Sequence, residues 1–203
     1  MKIDDVMKEG RSTVAEFGSK PNDTLSMDPV KFMVWLLLLA SVMLFASQTS
    51  AYLVKRAEGN WLEFTIPGIF TYSTIVLVLS SVTMHWAYLE AKKDNFSKLK
   101  LAVTVTFLLG VVFLAMQVLG WGKLVEMNVY FVGNLAGSFF YVFTFLHLVH
   151  LILGLLALLS TLWAATKMKV HSKRLRRIEV CATIWHFLDI LWIYLFVFLL
   201  TFN

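Results

Sequence analysis

Residues 178–203 read IEVCATIWHFLDILWIYLFVFLLTFN. At about 1.5 Å of rise per residue, this stretch is long enough for a helix to cross a hydrocarbon core about 30 Å thick. Yet it contains Glu179, His186 and Asp189. An ionisable side chain near mid-helix costs roughly 2.5–3.5 kcal/mol on insertion scales, so such groups belong against protein rather than lipid. A spacing of seven residues returns to nearly the same helix face, and Asp189 follows His186 by one turn, so the three share a stripe. The stretch therefore predicts a membrane helix packed into a bundle.

The rest of the chain agrees. Hydrophobic residues make up 59% and charged residues 15% of 203, and the mean hydropathy is +0.73, far from the balance of a water-soluble domain. Runs without Lys, Arg, Asp or Glu cover 32–54, 64–89, 101–122 and 127–166. The fourth is too long for one span and too short for two with a turn. Asn128, Gly133 and Asn134 suit a loop, so that helix is expected to begin at Leu135. The fold expected is all-α, a polytopic bundle of five transmembrane helices at about 31–54, 66–91, 99–122, 135–166 and 178–202. A polar tail occupies 1–30 and the membrane domain 31–203. Asp28-Pro29 precedes the first helix and Pro67 stands at the start of the second.

Charge orients the bundle. The tail and the loops between helices 2 and 3 and helices 4 and 5 share one side of the membrane. That side carries Lys2, Lys8, Arg11, Lys20 and Lys31, then Lys92, Lys93, Lys98 and Lys100, then Lys167, Lys169, Lys173, Arg174, Arg176 and Arg177. The other side has Lys55, Arg56 and Lys123. The positive-inside rule places the N-terminus in the cytoplasm and the C-terminus outside. The net charge of +5 is then an orientation signal, and no nucleic-acid partner is expected. The tail has no apolar core of a secretory leader. A single cysteine, Cys181, allows no disulfide within the chain.

Each helix has a face of small or hydrogen-bonding residues. These are Ser41, Gln48 and Tyr52 in helix 1; Ser73, Thr74, Ser80 and Ser81 in helix 2; Thr106, Gly110, Phe113 and Gln117 in helix 3; and Gly137, Thr144, His147 and Gly154 in helix 4. Such residues let membrane helices approach closely and bond across the interface.

Histidines His85, His147, His150 and His186 raise the question of a cofactor. Paired haems need ligands well over two turns apart on each helix, whereas His147 and His150 are one turn apart. No set of three or four convergent zinc ligands is specified either. Two readings of the helix-5 stripe stay open. Glu179, His186 and Asp189 could relay protons, or they could form a satisfied cluster in which Asp189 holds the His186 ring and Glu179 caps the helix.

The run from Glu179 through Trp185-His186-Phe187-Leu-Asp189 to Trp192 resembles the C-terminal signature of cytochrome c oxidase subunit III. Helix 4 is similar to that family in Gly137-Ser-Phe-Phe140, Thr144, His147, His150 and Gly154. So are helix 2, with Ser80-Ser81 and His85-Trp86, and helix 3, with Gly110, Phe113, Gln117 and Trp121. The resemblance covers all but the tail and is to the five-helix bacterial form. It departs from the family at Ser41, where a buried glutamate is usual, at Gly120, where an acidic residue is common, and at Phe145 and Leu148, which replace glycines.

The resemblance implies a non-redox accessory subunit of a haem–copper terminal oxidase in a bacterial plasma membrane, a component of the enzyme rather than its catalyst. No cofactor is expected in this chain. Haem and copper belong to partner subunits, and bound phospholipid is expected. The implied partners are oxidase subunits I and II and membrane lipid, with membership of a larger respiratory supercomplex left open. The role implied is support of assembly, lipid binding, proton uptake and turnover stability. Glu179, His186, Asp189, His147, His150 and His85 are the candidate structural, lipid-related or proton-related polar residues. The residues alone leave two other classes open, a free-standing b-type cytochrome and a proton-coupled transporter.

Overall fold

The computed structural model describes residues 28–59, 61, 64–93, 95–133, 135–166 and 173–202. The polar tail expected over 1–30 lies outside the described residues up to position 27, and so does the basic loop at 167–172. Two compact units are distinguished, Met1–Met33 and Val34–Asn203. Of the first, the described part is Asp28 and the opening turn of a helix, where the Phe32 N–H donates to the Asp28 carbonyl at 3.0 Å. The second unit holds the helix bundle.

The described residues form five helices and no strand: α1 Pro29–Ala57, α2 Ile69–Lys92, α3 Phe96–Glu126, α4 Leu135–Thr166 and α5 Lys173–Phe202. All five are long and apolar enough to cross a membrane. In hydrocarbon each backbone N–H and C=O must be satisfied within the segment, which leaves the helix as the solution for such runs. Several helices outrun their uncharged cores. Helix α1 continues through Lys55 and Arg56, cations favoured in a last turn by the helix dipole. Helix α5 takes in Lys173, Arg174, Arg176 and Arg177, which the sequence places in a loop. Charges end a hydrophobic run without ending a helix.

The α3–α4 turn follows from a left-handed residue. Asn128 has φ 60°, its N–H donates to the Val125 carbonyl, and the next N–H, of Val129, reaches back to Leu124. This is the Schellman arrangement that closes a helix when Asn or Gly supplies a positive φ.

Helices α2, α3, α4 and α5 form a ring in which each packs against the next and α5 closes on α2. Neighbours run antiparallel: Thr83 pairs with Thr106 and Ser73 with Gln117 across α2–α3, while Trp121 bonds Thr144 across α3–α4. The core of the ring is aromatic, with Trp185, Trp192, Phe113, Phe140 and Phe143 almost wholly buried. Two glycines make room for it. A Cβ on Gly110 of α3 would lie 2.8 Å from the Trp185 ring, and one on Gly154 of α4 would lie 2.8 Å from Leu188.

Helix α1 is held differently. Among the described residues, no Cα of α1 comes within 8 Å of a Cα in another helix. It attaches through long side chains: Phe45 tilts against His150 at 5.6 Å, and Tyr52 meets Phe139, Phe143 and Phe198 at 5.2–6.0 Å. Tyr52 Oη also donates to the Phe202 carbonyl at 3.0 Å, and Thr49 Oγ1 pairs with Tyr194 Oη at 3.1 Å.

Candidate functional site

The polar face predicted for α2 is the face that builds the site. Ser73, Thr74 and Ser80 each donate a hydroxyl to a carbonyl of their own helix, at 2.7–2.9 Å. Each then accepts from a neighbour: Ser73 from Gln117 Nε2 at 2.9 Å, Thr74 from Trp192 Nε1 at 3.0 Å and Ser80 from Trp185 Nε1 at 3.1 Å. A buried indole N–H needs an acceptor, and here a serine and a threonine six positions apart on α2 meet two tryptophans seven apart on the antiparallel α5.

Ser81 continues this ladder toward the surface. Its Oγ lies 2.7 Å from His186 Nδ1, and the half-buried His186 ring stands 6.1 Å, centre to centre, from that of His85 on α2. Asp189 does not hold the His186 ring, as the one-turn spacing suggested. It is 2% exposed, beside Ser81, and neither carboxylate oxygen meets a hydrogen-bond partner. The separation along α5 is right for contact, but the ring is turned to the α2 hydroxyl. Nor does Glu179 cap the helix, because α5 begins six residues earlier at Lys173 and no acidic residue lies in its first turn.

The remaining candidates sit apart. His147 is fully buried, 4.9 Å from Trp192 and 6.2 Å from Phe113, with neither ring nitrogen bonded. His150, one turn on, faces α1 and donates from Nδ1 to the Leu146 carbonyl at 2.7 Å. His85 is exposed. Among the described residues no three His, Cys, Asp or Glu side chains converge as a metal-ion site. Of the six residues, His85 and His186 are brought together, His147 and His150 face different neighbours, and Asp189 lies beside Ser81.

Ser41 and Gly120 find local explanations. Ser41 is buried and donates to the Leu37 carbonyl at 2.9 Å. Phe70 covers Gly120 so closely that a Cβ there would lie 2.6 Å from its ring. Beyond the ring of helices, Trp35, Leu38, Leu39 and Val42 of α1 and Thr183, His186, Phe187 and Ile190 of α5 line an apolar cleft of about 350 Å³. The tryptophans Trp185 and Trp192 and the cleft are absent from the sequence-derived site. Matched spacing of indoles and hydroxyls was the available signal for the first; nothing in one sequence signals the second.

The profile of cytochrome c oxidase subunit III matches residues 8–203. Cytochrome c oxidase subunit 3 of a Synechocystis species is 33% identical over 82% of this chain and 72% of its own length. Subunit 3 of the cytochrome bo(3) ubiquinol oxidase of Buchnera aphidicola from Acyrthosiphon pisum is 27% identical over 92% and 93%. Cytochrome c oxidase subunit 3 of Bacillus PS3 is 28% identical over 93% and 94%.

Proposed function

The chain belongs to the cytochrome c oxidase subunit III family, and on that premise we propose how it serves as the accessory, multi-pass membrane subunit of a haem–copper oxidase. It binds subunits I and II, whose haem and copper carry electrons to oxygen, and contributes assembly, lipid binding and sustained proton uptake in place of redox chemistry. Its N-terminus is cytoplasmic and its C-terminus outside, as the distribution of Lys and Arg favours. The observation that carries the reading is the family match across 8–203 of a chain whose five helices can each span a bilayer.

The cleft between α1 and α5 suits an acyl chain. Its lining is apolar except for Thr183 and His186, and its volume matches a segment of one lipid tail rather than a headgroup. A phospholipid held there ties α1 to the ring where its own contacts are sparse. Neither alternative reading draws on a specific observation: His147 and His150 face different neighbours, and His186 turns to Ser81 rather than to Asp189.

The test is affinity purification of the tagged chain from native membranes in mild detergent. The expected result is an oxidase complex with haem absorbance, oxygen-reduction activity and retained phospholipid, while the chain separated from its partners shows no Soret band. A stoichiometric Soret band that stays with the isolated chain would reverse the assignment to a non-redox subunit.

A further inference from the structure

The outer faces of the helices are not alike. On α3 the exposed residues from 101 to 119 are aliphatic, among them Leu108, Val112 and Val118, and on α4 those from 145 to 163 include Phe145, Leu153 and Leu156 with no titratable side chain. These faces suit lipid. The face where α2 meets α5 also presents Val78 and Val82, but between them and the His186 ring it exposes His85.

The depth of His85 makes this consequential. Helix α2 has 24 residues, about 36 Å at the usual rise, against a hydrocarbon core of about 30 Å. With α2 centred in the bilayer, His85, seven residues inside the end at Lys92, lies about 7 Å below the edge of that core. The imidazole is too short to reach the headgroups as lysine does. It makes no hydrogen bond within the chain among the described residues. His186 beside it is already committed through Nδ1 to Ser81. Ionisable groups at such depth face protein or a water-filled cavity.

We infer that the α2–α5 face bearing His85 is the seat of a transmembrane helix from another oxidase subunit, and that this helix carries a side-chain hydrogen-bond acceptor opposite His85. The inference rests on the reading of the chain as an oxidase subunit and adds which face makes the contact and what chemistry meets it. The partner helix lies along Val78 and Val82 and closes the exposed His85 imidazole off from lipid. The bare aliphatic faces of α3 and α4 stay in the bilayer.

A photo-reactive phenylalanine placed at Val82, Leu108 or Leu153 of the full chain, irradiated in native membranes, tests this. Position 82 should give an adduct with a membrane-spanning peptide of another oxidase subunit, and that peptide should contain an Asp, Glu, Ser, Thr, Asn or Gln. Positions 108 and 153 should give lipid adducts. His85→Leu should weaken retention of the chain in the oxidase by about five- to thirty-fold, the ratio set by losing one interhelical hydrogen bond, whereas His85→Gln should keep most of it. If the oxidase copurifies but position 82 labels only lipid or a second copy of this chain, or if the subunit adducts arise at 108 or 153, the inference is wrong. If no other oxidase subunit copurifies at all, the subunit assignment itself falls.

Discussion

The Trp185 indole of α5 reaches into the ring of helices and donates to the Ser80 hydroxyl of α2 at 3.1 Å, with its six-membered edge lying over Gly110 of α3. One side chain thereby touches three helices. The same N–H could not turn to lipid or water, so the hydroxyl opposite it fixes the rotation of α5 against α2.

Ser80→Ala removes that acceptor and strands a buried donor, which costs roughly 1–3 kcal/mol. Trp185→Phe loses the bond and part of the packing. A double-mutant cycle on detergent-induced unfolding should give a positive coupling energy between the two; additive effects would mean the bond contributes nothing.

The two close-packed glycines should respond unequally to alanine. At Gly154 the nearest obstacle is a terminal methyl of Leu188, which can rotate, whereas at Gly110 it is the rigid edge of Trp185 backed by Leu155 at 2.9 Å. Gly110→Ala is therefore expected to cost about 1–3 kcal/mol and Gly154→Ala clearly less, measured as shifts in the unfolding midpoint. The reverse order would place the wedge of the bundle elsewhere.

Asp189 offers a test of what the helix-5 stripe does. Its carboxyl group is buried beside Ser81, so Asp189→Asn, which removes the ionisable group and nearly keeps the shape, should leave the unfolding midpoint of the isolated chain unchanged or raised. His186→Ala removes the partner of Ser81 and should lower retention in the oxidase and speed inactivation during turnover, with the initial oxygen-reduction rate largely kept. An immediate collapse of that rate in a fully assembled oxidase would assign His186 to an obligatory proton path.

Orientation can be read by thiol labelling. Cys181 is 4% exposed, so the unaltered chain should resist maleimide until denatured. A cysteine at the exposed Thr65 should react with an impermeant reagent in intact cells, and one at the exposed Ser97 only after the membrane is opened. Labelling in the opposite order would invert the charge-based topology.

Much of this architecture is legible in single residues. Helical periodicity sets Ser73, Thr74, Ser80 and Ser81 on one side of α2, and all four bond to α3 or α5. The loop before Leu135 follows from Asn128 and Gly133, both of which take positive φ. The partner of His186 is not legible. Spacing along α5 makes Asp189 the obvious neighbour, but the rotation of one helix against another is settled by core packing, here of Trp185 and Trp192, and that has no signature within a single helix. The helix ends at Lys55, Arg56 and Lys173 escape the sequence for a related reason: hydropathy marks the bilayer boundary, and backbone hydrogen bonding does not stop there.

Helix α1 is joined to the bundle by Thr49 and Tyr52, whose partners Tyr194 and Phe202 come 145 and 150 positions later. In chain order α1 precedes both anchors, and it also precedes the α4 rings of Phe139, Phe143 and His150 that pack against Tyr52 and Phe45. Until α4 enters the bilayer, α1 is kept there by its own apolar surface. Its attachment is then completed by α5, the same helix that closes the ring on α2. For this helix insertion comes early and docking late.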